Sequence, residues 1–165
     1  LYKLEIFGNE AERQTHSNPW LAKRSFAKQK RIRFYARDSL RIEGLLLSPT
    51  KTASADNSAL PQDPPLVIVL PSSTRSHGSR HFSNAWLSNW LQPGQLAVQK
   101  GMHVLYLNVR GSSGRTLAFA KATQSTLLNS EVNDCLDAIE HLRASSGLPY
   151  SKVALIGEGR GGMGS

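Results

Sequence analysis

Cysteine is nearly absent from this chain of 165 residues, in which Cys135 is the only example. A single thiol excludes an internal disulfide and any metal site built from several cysteines. Cys135 lies in a segment of helical periodicity, so we expect a buried structural thiol rather than a reactive one. The Asn-x-Ser/Thr glycosylation signal is missing as well. Because none of these absences favours secretion, we expect an intracellular protein, in a compartment that the sequence does not specify.

Long apolar runs are also missing. No stretch approaches the roughly 20 apolar residues that a membrane-spanning helix requires, and the first residues lack the charged and then apolar layout of a signal peptide. The hydrophobic content of 39% is ordinary for a globular protein. We therefore expect a soluble protein with a buried core and no membrane contact. Because the chain begins with Leu1 and not with methionine, we expect its natural start to lie upstream.

Negative charge is scarce between residues 23 and 41. The formal net charge of the chain is +8, and Asp38 is the only acidic residue of this segment. Its basic residues are Lys23, Arg24, Lys28, Lys30, Arg31, Arg33, Arg37 and Arg41. Such a segment is typical of a solvated linker and strand face, and it is also able to contact RNA or another acidic partner. No recognised nucleic-acid-binding motif accompanies it.

Hydrophobic periodicity predicts a series of strands. Alternating apolar and polar residues at 1–7 predict a short first strand that ends at a turn. Residues 31–35 and 40–47 flank Arg37-Asp38-Ser39 and predict a hairpin. Continuous apolar runs are typical of strands covered on both faces, as in parallel sheets, and they occur at residues 66–70, 101–107 and 152–156. The polar, proline-bounded residues 49–65 predict an exposed loop.

Two helices are predicted between these strands. One covers residues 86–100, with an interruption at Pro93-Gly94, and the other covers residues 130–144, with Ser130 placed to cap its start. Its predicted buried face consists of Val132, Cys135, Leu136, Ile139 and Leu142. The alternation of strand and helix indicates an α/β layer architecture with right-handed crossovers.

The chain closes on a glycine-rich turn, since residues 153–165 read VALIGEGRGGMGS. Two kinds of site begin with an apolar strand and such a turn. Gly157, Glu158, Gly159, Arg160 and Gly161 have the spacing of a nucleophile elbow. Gly157, Gly159 and Gly162 also satisfy the Gly-x-Gly-x-x-Gly pattern of a dinucleotide site, although the helix, strand and acidic residue that would confirm that reading do not follow here.

Several segments resemble the prolyl oligopeptidase family in order and spacing. Residues 1–21 resemble the closing stretch of its β-propeller, residues 34–50 its first hydrolase hairpin, and residues 96–122 the segment containing Asn108-Val109-Arg110-Gly111. The resemblance implies a propeller-exit strand and linker over residues 1–26 and a partial α/β-hydrolase domain over residues 27–165. The implied fold is the N-terminal half of an α/β-hydrolase sheet, mostly parallel and starting with an antiparallel hairpin, preceded by a remnant of a β-propeller strand.

The same resemblance assigns the glycine turn to the elbow and places Gly159 at the position of the serine nucleophile. Glycine has no side chain with which to attack, and loss of a triad serine lowers turnover by about 10⁶. The loop that reads His-Gly-Gly-Pro in the family reads Pro71-Ser72-Ser73-Thr74 here, so the oxyanion hole is incomplete. All five histidines precede the elbow, whereas the family's acid and base follow it. We therefore predict no catalytic residue and no cofactor.

Other residues offer little replacement chemistry. Ser112 and Ser113 belong to a different loop, and Ser165 lies six residues beyond Gly159, so none is placed to act as the nucleophile. His77 and His81 are interpreted as loop residues and not as metal ligands, because no glutamate motif accompanies them.

The elbow strand lies in the middle of the family's sheet of about eight strands. One side of residues 152–156 is therefore expected to be an unpaired apolar edge that a protein partner or a further C-terminal segment covers. We expect a fragment, namely a catalytically inactive homologue that acts as a structural and interaction scaffold. The alternatives are a serine peptidase or acyl hydrolase represented incompletely, and a dinucleotide- or RNA-binding module.

Overall fold

The computed structural model describes residues 2–4, 10–49, 62–70, 73–76, 79–82, 91–113, 115–122 and 129–157. The strands are β1 (Tyr2–Leu4), β2 (Ala11–Arg13), β3 (Lys28–Tyr35), β4 (Arg41–Ser48), β5 (Leu66–Leu70), β6 (Ser73–Ser76), β7 (Ser79–Phe82), β8 (His103–Asn108) and β9 (Val153–Gly157). The helices are α1 (Leu91–Gln99), α2 (Leu117–Lys121) and α3 (Asn129–Ser146), and a 3-10 helix spans Pro19–Lys23. None of the described helices combines the length and apolar character needed to cross a bilayer.

A five-stranded sheet forms the centre of the molecule, with the order β3-β4-β8-β5-β9. β4 pairs antiparallel with β3 and β8, whereas β5 pairs parallel with β8 and β9. The predicted hairpin is confirmed, because the turn after β3 returns the chain in register through Ser39, whose φ is +65°. The parallel character predicted for the sheet is found in its β8-β5-β9 half.

Two apolar layers cover the sheet. On one face, α3 packs its buried residues Cys135, Ile139 and Leu142 against the strands. On the other face, Val98 of α1 packs against Val104 and Tyr106 of β8. All five residues of β5 are buried, as the continuous apolar run predicts for a strand covered on both sides.

Helix α1 corrects the predicted interruption at Pro93-Gly94, because it runs unbroken from Leu91 through both residues. Pro93 lies in the first turn, where a backbone N–H has no partner within the helix and a proline is tolerated. Gly94 is buried against Tyr106, so the absence of a side chain lets the helix approach the sheet closely.

Helix α3 differs from its prediction at its start and on one flank. It begins at Asn129, so Ser130 lies inside the helix, where its hydroxyl donates to Glu131 Oε2 at 3.0 Å. Leu136 is 46% exposed, whereas Glu131 and Asp134 are buried. The buried face of α3 is therefore rotated away from Leu136, because part of this face makes a polar contact with the loop after β8.

Two small sheets lie outside the main one. β1 pairs antiparallel with β2, and β6 pairs antiparallel with β7. The first sheet contains part of the strand predicted over residues 1–7, while β6 and β7 were expected to be loop. His81 belongs to β7, where its backbone is in register with Thr74, which corrects its assignment to a loop. His77 lies outside the described residues.

Candidate functional site

The carboxyl ends of the parallel strands form the edge at which α/β sheets carry their sites. β5 ends at Leu70, β8 at Asn108 and β9 at Gly157, and Leu70 is directly in register with Gly157. The ends of these two strands, from which the next segments of the chain continue, therefore lie side by side. In a hydrolase these are the two segments that supply the oxyanion hole and the nucleophile.

Gly157 is the only predicted elbow position within the described residues, and it is the last residue of β9. Glu158, Gly159, Arg160, Gly161 and Gly162 lie outside the described residues. Pro71 and Ser72 of the preceding loop also lie outside them, and Ser73 and Thr74 begin β6. The strand that leads into the glycine turn is thus confirmed, whereas the turn itself stays a prediction.

A buried ion pair positions the loop that follows β8. Arg110 directs its guanidinium to Asp134 of α3, with Nη2 2.7 Å from Oδ1 and Nε 3.0 Å from Oδ2. The backbone N–H of Arg110 donates to Asp134 Oδ2 as well, at 2.9 Å. Burial raises the pKa of the Asp134 carboxyl, while the hydrogen bonds from Arg110 oppose that rise. Asp134 in turn raises the pKa of Arg110, which stays fully charged.

Arg110 also contacts the turn between β3 and β4. Its Nη1 lies 2.7 Å from Asp38 Oδ2, and this hydrogen bond lowers the pKa of the Asp38 carboxyl. A second connection runs from Arg37 to Asp137 of α3, with 2.7 Å between Nη2 and Oδ1. The first hairpin, the β8 loop and α3 are thereby fixed to one another at the carboxyl edge of the sheet.

The β8 loop holds its serine in a structural role. Gly111 has a φ of +84°, and its N–H donates to Phe119 O of α2 at 3.0 Å. The hydroxyl of Ser112 is buried and donates to Val109 O at 2.7 Å. Because this hydroxyl is enclosed and already engaged, it is not available as a nucleophile.

Three arginines surround Glu43 on the face of the hairpin opposite α3. Arg31 Nη2 and Arg33 Nε lie 3.5 Å and 3.9 Å from Glu43 Oε2, and Arg115 Nη1 lies 3.6 Å from Oε1. The guanidinium of Arg115 also covers the Phe119 ring at 4.3 Å. Burial and the neighbouring arginines lower the pKa of Arg115, although Glu43 opposes that effect.

These polar centres could not be predicted from local sequence patterns. Arg110 belongs to the segment that carries the family resemblance, but its partners Asp38 and Asp134 are far from it in sequence. Glu43 and Arg115 come together only through the pairing of β4 with β8. No local pattern signals these contacts, because the partners of each charged group are distant in the sequence.

The histidines do not assemble a metal site in the described part of the chain, where no group of three or more potential ligands occurs. His103 is a strand residue, as predicted, and its Nδ1 lies 3.0 Å from the hydroxyl of Tyr150. His141, which lies outside the predicted buried face of α3, is half-buried and stacks on Phe34 with 5.1 Å between ring centroids.

Solved structures similar to this chain are peptidases and hydrolases. The uncomplexed acylaminoacyl peptidase of Pyrococcus horikoshii is 22% identical, with a TM-score of 0.70 over 94% of this chain and 23% of its own. An acylaminoacyl peptidase in complex with Z-Gly-Gly-Phe-chloromethyl ketone is 21% identical, with a TM-score of 0.71 over 94% of this chain and 23% of its own. Puromycin hydrolase is 16% identical, with a TM-score of 0.64 over 93% of this chain and 21% of its own.

These likenesses establish the fold, and the chain spans between 21% and 23% of the length of the three structures. Among curated protein sequences, none matches it significantly. The model of the prolyl oligopeptidase family, however, matches residues 77–165, which is more than half of the chain. The chain therefore belongs to the prolyl oligopeptidase family.

Proposed function

We propose that this chain is part of a prolyl oligopeptidase-like hydrolase fold that has lost its own nucleophile and serves as a structural and interaction scaffold. The observation that carries the proposal is Gly159, two residues beyond the end of β9, at the position where the resemblance to the family implies the serine. A glycine has no oxygen or sulfur atom with which to form an acyl intermediate. It also adopts the strained backbone of an elbow with little cost, so the turn is able to persist without the chemistry.

The described surroundings of the elbow support a scaffold role. The hydroxyl of Ser112 is buried and bonded to the backbone, so it does not replace the missing nucleophile. The polar centre at the carboxyl edge consists of ion pairs that connect elements, namely Arg110 with Asp38 and Asp134. These ion pairs stabilise the fold, and their charged groups are already hydrogen-bonded to one another.

The outer edge of β9 supports an interaction role. β9 is the end strand of the sheet, and no strand in the described part of the chain pairs with its outer side. The open edge of an apolar strand presents unpaired backbone groups, which proteins normally cover or protect against association. We infer that a protein partner or a further segment of the polypeptide covers this edge, and that β1 belongs to a propeller-exit strand.

The activities of the similar structures define the second candidate function. Acylaminoacyl peptidase and puromycin hydrolase are hydrolases by name, and the register of Leu70 with Gly157 favours the geometry of an elbow beside an oxyanion loop. A serine peptidase or acyl hydrolase with a serine at position 159 would use this framework. The difference between the two candidates is the side chain at one position.

A fluorophosphonate probe distinguishes them, because it reacts covalently with activated serines. The full-length polypeptide with Gly159 is expected to take up no label, and Gly159→Ser is the matched variant that supplies the missing hydroxyl. Label on the Gly159 protein, mapped by mass spectrometry to any serine of this chain, would overturn the scaffold proposal. Label and acyl-peptide hydrolysis gained only by Gly159→Ser would show that the rest of the machinery persists and that the glycine alone silences it.

A further inference from the structure

The opposite end of the sheet exposes a long basic strand. β3 is the end strand next to β4, and no strand in the described ranges pairs with its outer side. It is eight residues long, and all of its residues except Ile32 and Phe34 are exposed. The chain therefore presents a strand edge long enough to bind another extended segment.

The backbone of β3 directs hydrogen-bonding groups outward at alternate residues. Ala36 N–H donates to Leu40 O at 2.9 Å, so this pair of residues bonds toward β4. In antiparallel pairing the bonded and non-bonded positions alternate along the strand. The N–H and C=O groups of Arg33 and Tyr35 consequently point away from β4, toward the open side.

Cations lie on both faces of this edge. Lys28 and Lys30 share a face with the buried Ile32, whereas Arg31 and Arg33 lie on the opposite face, where they are 46% and 54% exposed. Two of the neighbouring carboxylates are already engaged, since Glu43 contacts three arginines and Asp137 binds Arg37. If a strand were added beside β3, the side chains on both faces of that added strand would lie near positively charged residues.

A groove of about 580 Å³ continues the edge toward α3. Arg33, Phe34 and Tyr35 line it from the strand, and His141 and Ala144 line it from the helix. Phe34 and His141 stack with an interplanar angle of 18°, and both rings contribute to the lining of the groove. The groove is suited to an apolar side chain at the end of an otherwise acidic segment.

We propose that the outer edge of β3 binds an extended acidic segment of a partner protein, which adds to the sheet as a further antiparallel or parallel strand. The backbone of Arg33 and Tyr35 supplies the hydrogen bonds, the basic side chains select acidic residues, and the groove beside Phe34 takes one apolar residue. A protein segment fits better than a nucleic acid, because the edge offers backbone N–H and C=O groups that pair with another extended polypeptide backbone. The site is independent of the residue at position 159.

The test uses the full-length polypeptide and a fluorescent peptide of about ten residues, in which glutamate alternates with valine. Tyr35→Pro removes the outward N–H without breaking a bond to β4, and Tyr35→Ala is its control for the lost side chain. Lys28→Glu/Lys30→Glu reverses charge at the edge, and Lys100→Glu/Lys121→Glu makes the same charge change at exposed lysines elsewhere. Circular dichroism and thermal melting identify any variant that fails to fold.

Binding measured by fluorescence anisotropy is expected to weaken at least about tenfold for Tyr35→Pro relative to Tyr35→Ala. It is expected to weaken at least about tenfold for the edge charge reversal and less than about twofold for its control. Equal affinity of Tyr35→Pro and Tyr35→Ala for the peptide would overturn strand addition. An equal loss of affinity in both charge-reversal variants would show that binding depends only on the net charge of the protein. If polyuridylate displaced the labelled peptide at a lower concentration than the unlabelled peptide does, the surface would be assigned to nucleic acid. If the peptide did not bind at all, the proposal would be overturned, and the charges would serve only to protect the strand edge from association.

Discussion

The thiol of Cys135 shows how strongly one side chain depends on its surroundings. It is 2% exposed, and burial together with the carboxylates of Asp134 and Glu131 raises its pKa to about 12. A thiol reacts with alkylating reagents as the thiolate. We expect iodoacetamide at about pH 8 to leave Cys135 unmodified in the native protein and to modify it readily in urea.

Intact mass after timed quenching measures the reaction. The unfolded protein serves as the control for reagent quality, since it contains the same single thiol. Native modification at a rate comparable with that in urea would show that α3 does not enclose Cys135 as described.

The charged residues of α3 mark the limit of prediction at the level of single residues. Periodicity identified Cys135, Ile139 and Leu142 correctly, because apolar residues three and four apart share a face. It placed Leu136 on that face as well, although the side chain is 46% exposed. Asp134 takes the buried position instead, and no local pattern reveals this, since its partner Arg110 lies in the loop after another strand.

Helix α1 depends on a glycine for its contact with the sheet. A Cβ at Gly94 would overlap the hydroxyl of Tyr106, which is fully buried in β8, and would lie 2.9 Å from Cζ. Gly94→Ala is therefore expected to destabilise the protein by about 1–3 kcal/mol, although alanine is the better helix former. Urea unfolding followed by circular dichroism gives the free energy of unfolding.

A double-mutant cycle with Tyr106→Phe isolates this contact. Removal of the hydroxyl relieves the overlap, so Gly94→Ala is expected to cost less in the Tyr106→Phe background than in the natural one. Additive effects of the two substitutions would show that the cost of Gly94→Ala arises elsewhere in the helix.

The main elements were predictable where one physical signal dominates. β5, β8 and β9 follow continuous apolar runs bounded by turns, and β3 and β4 flank a turn whose Ser39 adopts a positive φ. α2 and the paired strands β6 and β7 were missed because each is only four or five residues long, which is too short to establish a period. The predicted break at Pro93 failed because the effect of a proline depends on its position in a helix, and sequence alone did not locate the first turn.

The stability of the whole molecule is expected to fall as the pH falls from about 7.5 to about 5.5. Burial lowers the pKa of His103, and burial together with Lys30 lowers that of His141. The unfolded chain therefore binds protons at a higher pH than the folded one, so acidification through about pH 6.5 favours unfolding. Thermal melting across this range measures the loss.

His103→Gln is the informative variant, because an amide oxygen is still able to accept from the Tyr150 hydroxyl and carries no titrating group. Its melting temperature is expected to depend less on pH than that of the natural protein over this range. The aspartates held by arginines, Asp38 and Asp137, have lowered pKa values and lose their contribution only below about pH 4. An unchanged pH dependence in His103→Gln would assign the effect to other groups.

At the scale of the whole molecule, the position of the candidate site was predictable from the sequence only in part. The motif at residues 157–162 and the strand before it identify the edge of the sheet at which the elbow is predicted. The neighbouring segment after β5 and the basic surface along β3 are defined by strand order, which depends on contacts between distant residues. No local pattern in the sequence specifies that β8 enters the sheet between β4 and β5.

The position of β8 also governs the order in which this sheet is able to form. β4 and β5 follow each other along the chain, yet β8 separates them and pairs with both. During synthesis the β3-β4 hairpin and β5 leave the ribosome first, with Leu46 and Leu47 of β4 not yet covered. β4 and β5 therefore gain their shared neighbour only after β8 has been synthesised, and until then their open edges are available for association with other strands.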